Sequence, residues 1–292
     1  MAEMRHQAVL GEQAGFDGLM TSEHHGGFPG YIPNPLQLAG WLLEATERVW
    51  AGACPLLLPL KHWTHVAEEI AWLAARFPGR VSAGFAAGGL AQDFEMAELD
   101  FKQAGPAFRQ AMPLIGRALR GEAEAPLADD PAIAACAESP IRLTCAAQGP
   151  VGARRAAEFG MGALYDSLQT TERMRVVTDA YHEAGGVEAC TAIRRVWIGA
   201  PPGEQVEAQM NFYRGYASGE AQAHWGKGQE LVHGENGAEV AEQLLAVARD
   251  GGCDAFNLRI HAQGIPPEAV RDQIAALGEE TLPLIRREWD SA

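Results

Sequence analysis

Short apolar runs alternate with longer helical patterns along nearly the whole chain, and this alternation constrains the fold more than any other feature. The runs Phe16 to Thr21, Val49 to Pro55, Val81 to Phe85, Ile141 to Ala146, Ala163 to Tyr165, Ile193 to Ile198 and Ala255 to Ile260 read as strands. Helical patterns occupy Ala2 to Ala14, Pro35 to about Thr46, Thr64 to Phe77, Phe101 to Arg120, Pro150 to Phe159 and Thr170 to Ala184. Further ones run from Gly203 to about Ala217, Gly237 to Arg249 and Pro267 to Arg287. Such an order calls for parallel strands joined by right-handed crossovers, an α/β class. A closed (β/α)8 barrel needs eight strands and opens on one, whereas seven are read here and the first element is a helix. Either the first strand is lacking, or the sheet is open or differently closed. In the first case the strands at Phe16 and Ala255 have free edges, to be filled by a segment lying upstream, another segment or a partner chain, or left open.

With 292 residues and 47% hydrophobic content the chain buries a sizeable core, and no low-complexity linker divides it, so a single domain over 1–292 is the simplest expectation. The formal charge of −15 repels phosphate backbones and anionic lipid, which argues against nucleic-acid and membrane partners and for a small-molecule substrate. Five cysteines stand singly at 54, 136, 145, 190 and 253, without CxxC spacing, as suits a reducing cytoplasm. The first fifteen residues lack a basic stretch leading into an apolar core, so no export signal is read.

Chemistry in such a fold gathers at the C-terminal ends of the strands. Glu23-His24-His25 follows the first strand: an imidazole exchanges a proton near neutrality, and an adjacent carboxylate fixes its tautomer, although two surface histidines fit the position equally well. Cys54-Pro55 ends the second strand; a cis bond before proline costs only about 0.5–1 kcal/mol, although a trans bond ending the strand is the commoner reading of the dipeptide. His62 and His65 stand at a helix start, where surface residues are the commoner reading. The loop Gly84-Phe85-Ala86-Ala87-Gly88-Gly89 lets a ring or phosphate approach the backbone. Gln148-Gly149-Pro150 leads into a helix whose free N–H groups, from Val151 onward, suit an anion site, with Arg154 and Arg155 one turn further on, where a solvated helix face explains them equally well. Alternation in the last strand points Asn257, Arg259 and His261 one way, expected to be inward. The five histidines 24, 25, 62, 65 and 261 also raise a metal hydrolase, but they lack HxH or HExxH spacing, and no metal is expected.

AGFDGLMTSEHHGG, NPLQLAGWLLEATERVWAGACPLLLPLKHWTHVAEEIAWL and GRVSAGFAAGGLAQDF, in this order and spacing, resemble the luciferase-like monooxygenases, and HGENGAEVAEQLLAVARDGGCDAFNLRIH resembles the C-terminal part of that family. The resemblance implies a TIM-type (β/α)8 barrel, here lacking its first strand, that binds reduced FMN, or alternatively a deazaflavin, and passes electrons to oxygen or hydride to a substrate. It places His24 on the family's active-site histidine, with Glu23 and His261 as further catalytic candidates, and the family's cis peptide on Cys54-Pro55. Cofactor contacts are expected from Cys54, Pro55, Gly84, Ala86, Ala87, Gly88, Gln148, Gly149 and Val151. Two arginines that hold the phosphate in the bacterial luciferase branch fall on Ala87 and near Gly105, so that charge is not supplied at those positions. The expected partners are a small organic substrate, a separate flavin reductase and a second copy of the chain. The competing expectation is a non-catalytic flavin-binding member.

Overall fold

The computed structural model describes residues 1–216, 225 and 231–289. Its strands are β1 (Gly18–Thr21), β2 (Trp50–Leu57), β3 (Val81–Ala86), β4 (Arg142–Ala146), β5 (Gly162–Leu164), β6 (Cys190–Ile198), β7 (Val232–Gly234) and β8 (Ala255–Arg259). Each of β1 to β6 pairs in parallel with the next. Helices α1 (Ala2–Gln13), α2 (Pro35–Ala45), α3 (Trp63–Arg76), α4 (Ala91–Met96), α5 (Ala104–Ala118) and α6 (Pro131–Ala135) lie in the first half of the chain. In the second half come α7 (Pro150–Glu158), α8 (Thr171–Glu183), α9 (Gly203–Tyr216), α10 (Gly237–Gly251), α11 (Pro267–Ala276) and α12 (Leu282–Trp289). Ala217, the last residue expected in the ninth helix, lies outside the described residues.

Local chemistry sets these boundaries. The Asn34 side chain accepts the Gln37 N–H and Pro35 takes the first helical position, which starts α2. Thr170 caps α8 and Asn236 caps α10 in the same way. Gly252 closes α10 at φ +71, a left-handed conformation that a side chain disfavours. The inner strands β2, β3 and β5 are buried nearly throughout, as parallel strands covered on both faces must be.

The seven expected strands are all present, and β7 is an eighth that the sequence did not announce. It holds three residues around His233, too few for a period, and pairs with Val196–Ile198 at the far end of β6. The long β6 therefore serves two further strands along its length, because β8 pairs with Thr191–Arg195 of the same strand. Among the described residues no ladder joins β1 to β8, so the barrel is not strictly closed and both strands keep a free edge, as the missing-strand reading anticipated. A cavity of about 830 Å³ follows this seam and is lined by every residue of β1 and β8. No described helix is long and apolar enough to cross a membrane.

Candidate active site

His24 sits just beyond β1 and is held from two directions. Its Nδ1 lies 2.7 Å from Oδ2 of Asp93, and the other oxygen of that carboxylate accepts the His25 N–H at 2.9 Å. The ring packs against Phe28 and Tyr31, with centroids at 4.4 and 4.7 Å. Asp93 is 1% exposed, so its charge is directed at these two donors rather than at water. With Nδ1 committed to a carboxylate, Nε2 presents a lone pair and becomes the nitrogen that takes or gives a proton.

Asp93 belongs to α4, whose six residues are too few to show a helical period in the sequence. Gly88 makes its position possible: φ is +87, and a Cβ there would lie 2.8 Å from the Phe94 ring. The small-residue loop after β3 thus turns the chain back so that Phe94 packs inward and its neighbour Asp93 reaches His24. Glu23, expected to orient His24, is occupied elsewhere. Its Oε2 accepts the Leu57 N–H at 2.7 Å and its Oε1 pairs with Nε2 of His25 at 3.0 Å. Burial raises the Glu23 carboxyl above its ordinary value, and the Leu57 and His25 bonds offset this only in part.

The residues expected around a cofactor divide into two groups. The Cys54–Pro55 bond is cis and lies where the register between β2 and β3 shifts. The Cys54 thiol is fully buried, pushed up to about 12 by burial, beside the hydroxyls of Ser82 and Thr144. It is therefore an inert packing group, and of this pair only Pro55, half-buried, is open to a ligand. Gly84 is likewise interior: a Cβ there would lie 2.5 Å from Oγ1 of Thr144, so its lack of a side chain serves strand packing and not a ligand. Ala86, Ala87 and Gly88 are half-buried at the strand end.

The second group surrounds the start of α7. Gly149 caps this helix in extended conformation without a side-chain bond, leaving the first-turn N–H groups of Val151 and Gly152 with no side-chain acceptor. Gln148 is exposed, and its carbonyl accepts from Nε2 of Gln169 and from Nη2 of Arg173. A Cβ on Gly149 would lie 2.8 Å from that Nη2, which places the Arg173 guanidinium at the helix N-terminus; its Nε is buried without a partner. Arg173 of α8 thus brings the charge that Arg154 and Arg155 were read to bring, whereas Arg154 is exposed and faces Glu183 at 3.7 Å. Nothing in the sequence around Arg173 signals a contact made 25 residues away.

His62 and His65 are exposed, with His62 bonded to Thr64, and no group of three His, Cys, Asp or Glu among the described residues converges for a metal. On β8, Asn257 reaches Met20 at 3.0 Å and Arg259 donates to the Tyr31 hydroxyl at 3.3 Å, so both point inward toward β1 as alternation implied. His261, beyond the strand end, is exposed at the rim of the cavity.

Residues 1–283 match the family model of the luciferase-like monooxygenases. An F420-dependent glucose-6-phosphate dehydrogenase of Beutenbergia cavernae is 33% identical over 181 residues, covering 54% of this chain and 51% of that protein. The chain thus spans about half the length of this curated relative. Among solved structures, a monooxygenase of Streptomyces bottropensis superposes with a TM-score of 0.80 at 20% identity, covering 97% of this chain and 92% of that one. The oxygenating constituent of 3,6-diketocamphane monooxygenase from Pseudomonas putida, in complex with FMN, gives 0.73 at 18% identity over 97% and 92%.

Proposed function

Because the chain belongs to the luciferase-like monooxygenase family, we propose that it is a flavin-type redox enzyme acting on a small organic substrate, with reduced FMN as cofactor and a deazaflavin as the alternative. The observation that carries this reading is the His24–Asp93 pair, a proton-transferring imidazole with one nitrogen fixed and one open, at the end of a parallel sheet where ligands bind.

The residues present suit a phosphate-bearing cofactor. The uncapped N-terminus of α7 and the unpartnered Nε of Arg173 together form an electropositive cradle, and they replace the charge missing at Ala87 and Gly105. Val151, Gly152 and Arg173 would hold the phosphate, and Pro55 at the Cys54–Pro55 bond and the Ala86–Gly88 loop would border the ring. The bound cofactor supplies the two reducing equivalents. His24 delivers or withdraws a proton at Nε2, Asp93 keeps the ring oriented, and Phe28 and Tyr31 keep water from its faces.

The test is a titration of the purified protein with oxidised and reduced FMN and with a deazaflavin, followed by fluorescence. Micromolar binding of one of them is expected; failure of all to bind below millimolar concentration would remove the reading. The neutral residues at Ala87 and Gly105 favour a second reading, a flavin carrier without turnover, which tight binding without oxygen- or nicotinamide-linked turnover would support. A separate reductase and a homodimer complete the proposal, and sedimentation tests the latter.

A further inference from the structure

Arg194 and Arg195 are adjacent on β6, and they meet opposite fates. Arg194, turned outward, is 1% exposed and donates to the carbonyls of Ile193 and Gln169. Arg195, turned into the cavity, is 2% exposed; its Nε donates to Gln209, its guanidinium lies over the Tyr213 ring at 5.4 Å, and its Nη1 is buried with no partner. Arg259 of β8 enters the same space, with the Tyr31 hydroxyl as its bonded partner. Among the described residues neither guanidinium has a carboxylate within ion-pair distance. Burial and the nearby Arg259 both pull the Arg195 guanidinium below its ordinary value, whereas Arg259, despite its burial, is held above its own by Tyr31 and Tyr213, with a lesser pull from Asp166. A buried cation without a counter-charge, as Arg195 is, is costly, and a second cation in the same space adds to that cost unless an anion joins them.

We propose that Arg195 and Arg259 form an oxyanion subsite for a small organic substrate bearing a carboxylate, sulfonate or phosphate group. The guanidinium fork matches such a group by two parallel hydrogen bonds. Tyr31 gives the subsite its direction. Its hydroxyl meets Arg259 at 3.3 Å and Tyr213 at 3.2 Å, while its ring lies 4.7 Å from the His24 ring. A substrate anchored at the arginines therefore extends past Tyr31 toward the open nitrogen of His24. The cofactor phosphate is a different ligand of the same chemistry, and the cradle assigned to it, at α7 and Arg173, shares no residue with this one. The proposal names the substrate class of the redox site and rests on that reading for its catalytic meaning, though not for the binding itself.

The probes are acetate, methanesulfonate and inorganic phosphate, each compared with sodium chloride at equal ionic strength, with thermal unfolding as readout and no cofactor present. At least one probe should raise the midpoint of wild type and of Arg173→Met by several degrees, and the rise should vanish in Arg195→Met and in Arg259→Met. FMN affinity should change less than about threefold in Arg195→Met. No rise beyond chloride in wild type, a rise that survives both cavity variants, or a tenfold loss of FMN affinity in Arg195→Met would each overturn the subsite. Should the methionine variants not fold, Arg195→Lys keeps the charge and loses the fork: anion binding at least fivefold weaker is expected, and unchanged binding would count against the proposal. An intact anion response in a protein that binds no flavin would sink the redox reading and leave the subsite standing.

Discussion

His24 holds one ring nitrogen in a hydrogen bond to a buried carboxylate and leaves the other open, and its replacement tests that division directly. His24→Ala should leave cofactor affinity nearly unchanged and lower turnover by about 10²- to 10⁴-fold, the usual worth of positioned acid-base help. Asp93→Asn should lose part of that factor, and the double variant should be no worse than His24→Ala alone, because the two act as one unit. Additive losses in the double variant would separate Asp93 from His24. Glu23 has a different signature. Its folded-state value is raised, so the native protein binds the Glu23 proton more tightly than the unfolded chain does. The stability this contributes is present below the ordinary value of 4.5 and is lost as pH rises through the raised one. Glu23→Gln should abolish this loss, giving a denaturant midpoint at pH 7 no lower than wild type and a smaller advantage, or none, near pH 5. A large destabilisation at pH 7 would show that the ion pair with His25 outweighs desolvation.

At the scale of elements, a short turn and a helix start decide where the charges go. Gly88→Ala places a side chain at φ +87 and 2.8 Å from the Phe94 ring, so α4 must shift and carry Asp93 away from His24. A cost of about 1–3 kcal/mol in stability is expected, with turnover falling as it does in Asp93→Asn. Equal turnover with reduced stability would mean that α4 does not position the acid. At α7, Arg173→Met should weaken FMN about 10- to 100-fold, since a charge-assisted bond is worth about 1.5–3 kcal/mol, and leave riboflavin, which lacks the phosphate, unaffected. The same elements mark the limit of what the sequence reveals. The inward course of Arg259 is legible because it follows from a local alternation. A strand end and a Cys-Pro dipeptide alone leave a surface histidine and a trans bond open, so His24 and the cis Cys54–Pro55 bond are legible through the family resemblance. Asp93 and Arg173 are not, since each meets its partner through a contact 69 or 25 residues distant, and the glycine loop that delivers Asp93 reads as a ligand loop when seen without its fold. Strand β7 is hidden for a related reason: three residues pair only because β6 runs on to Ile198, past the residues that β5 and β8 occupy.

For the molecule as a whole the local and global fields oppose one another. The chain carries 38 acidic against 23 basic residues, a formal −15, yet its proposed ligands, a phosphate-bearing cofactor and an oxyanion substrate, are themselves negative. Long-range repulsion slows the encounter of such a ligand, and it is screened over about 8 Å at physiological ionic strength. The attraction from Arg173, Arg195 and Arg259 acts within a few ångström from buried or half-buried positions, where salt has less effect. The field therefore divides by step: the net charge governs arrival and the arginines govern residence. FMN association, followed by fluorescence quenching in a stopped-flow instrument, should accelerate as sodium chloride rises from about 10 to 150 mM, with a dissociation rate that changes much less. Riboflavin, uncharged, should show neither trend and controls for effects of salt on the protein itself. An FMN association rate that falls with salt while riboflavin stays constant would mean that the arginines already project beyond the site and steer the ligand in. The acidic surface would then have no influence on the encounter, and the division of labour argued here would be wrong.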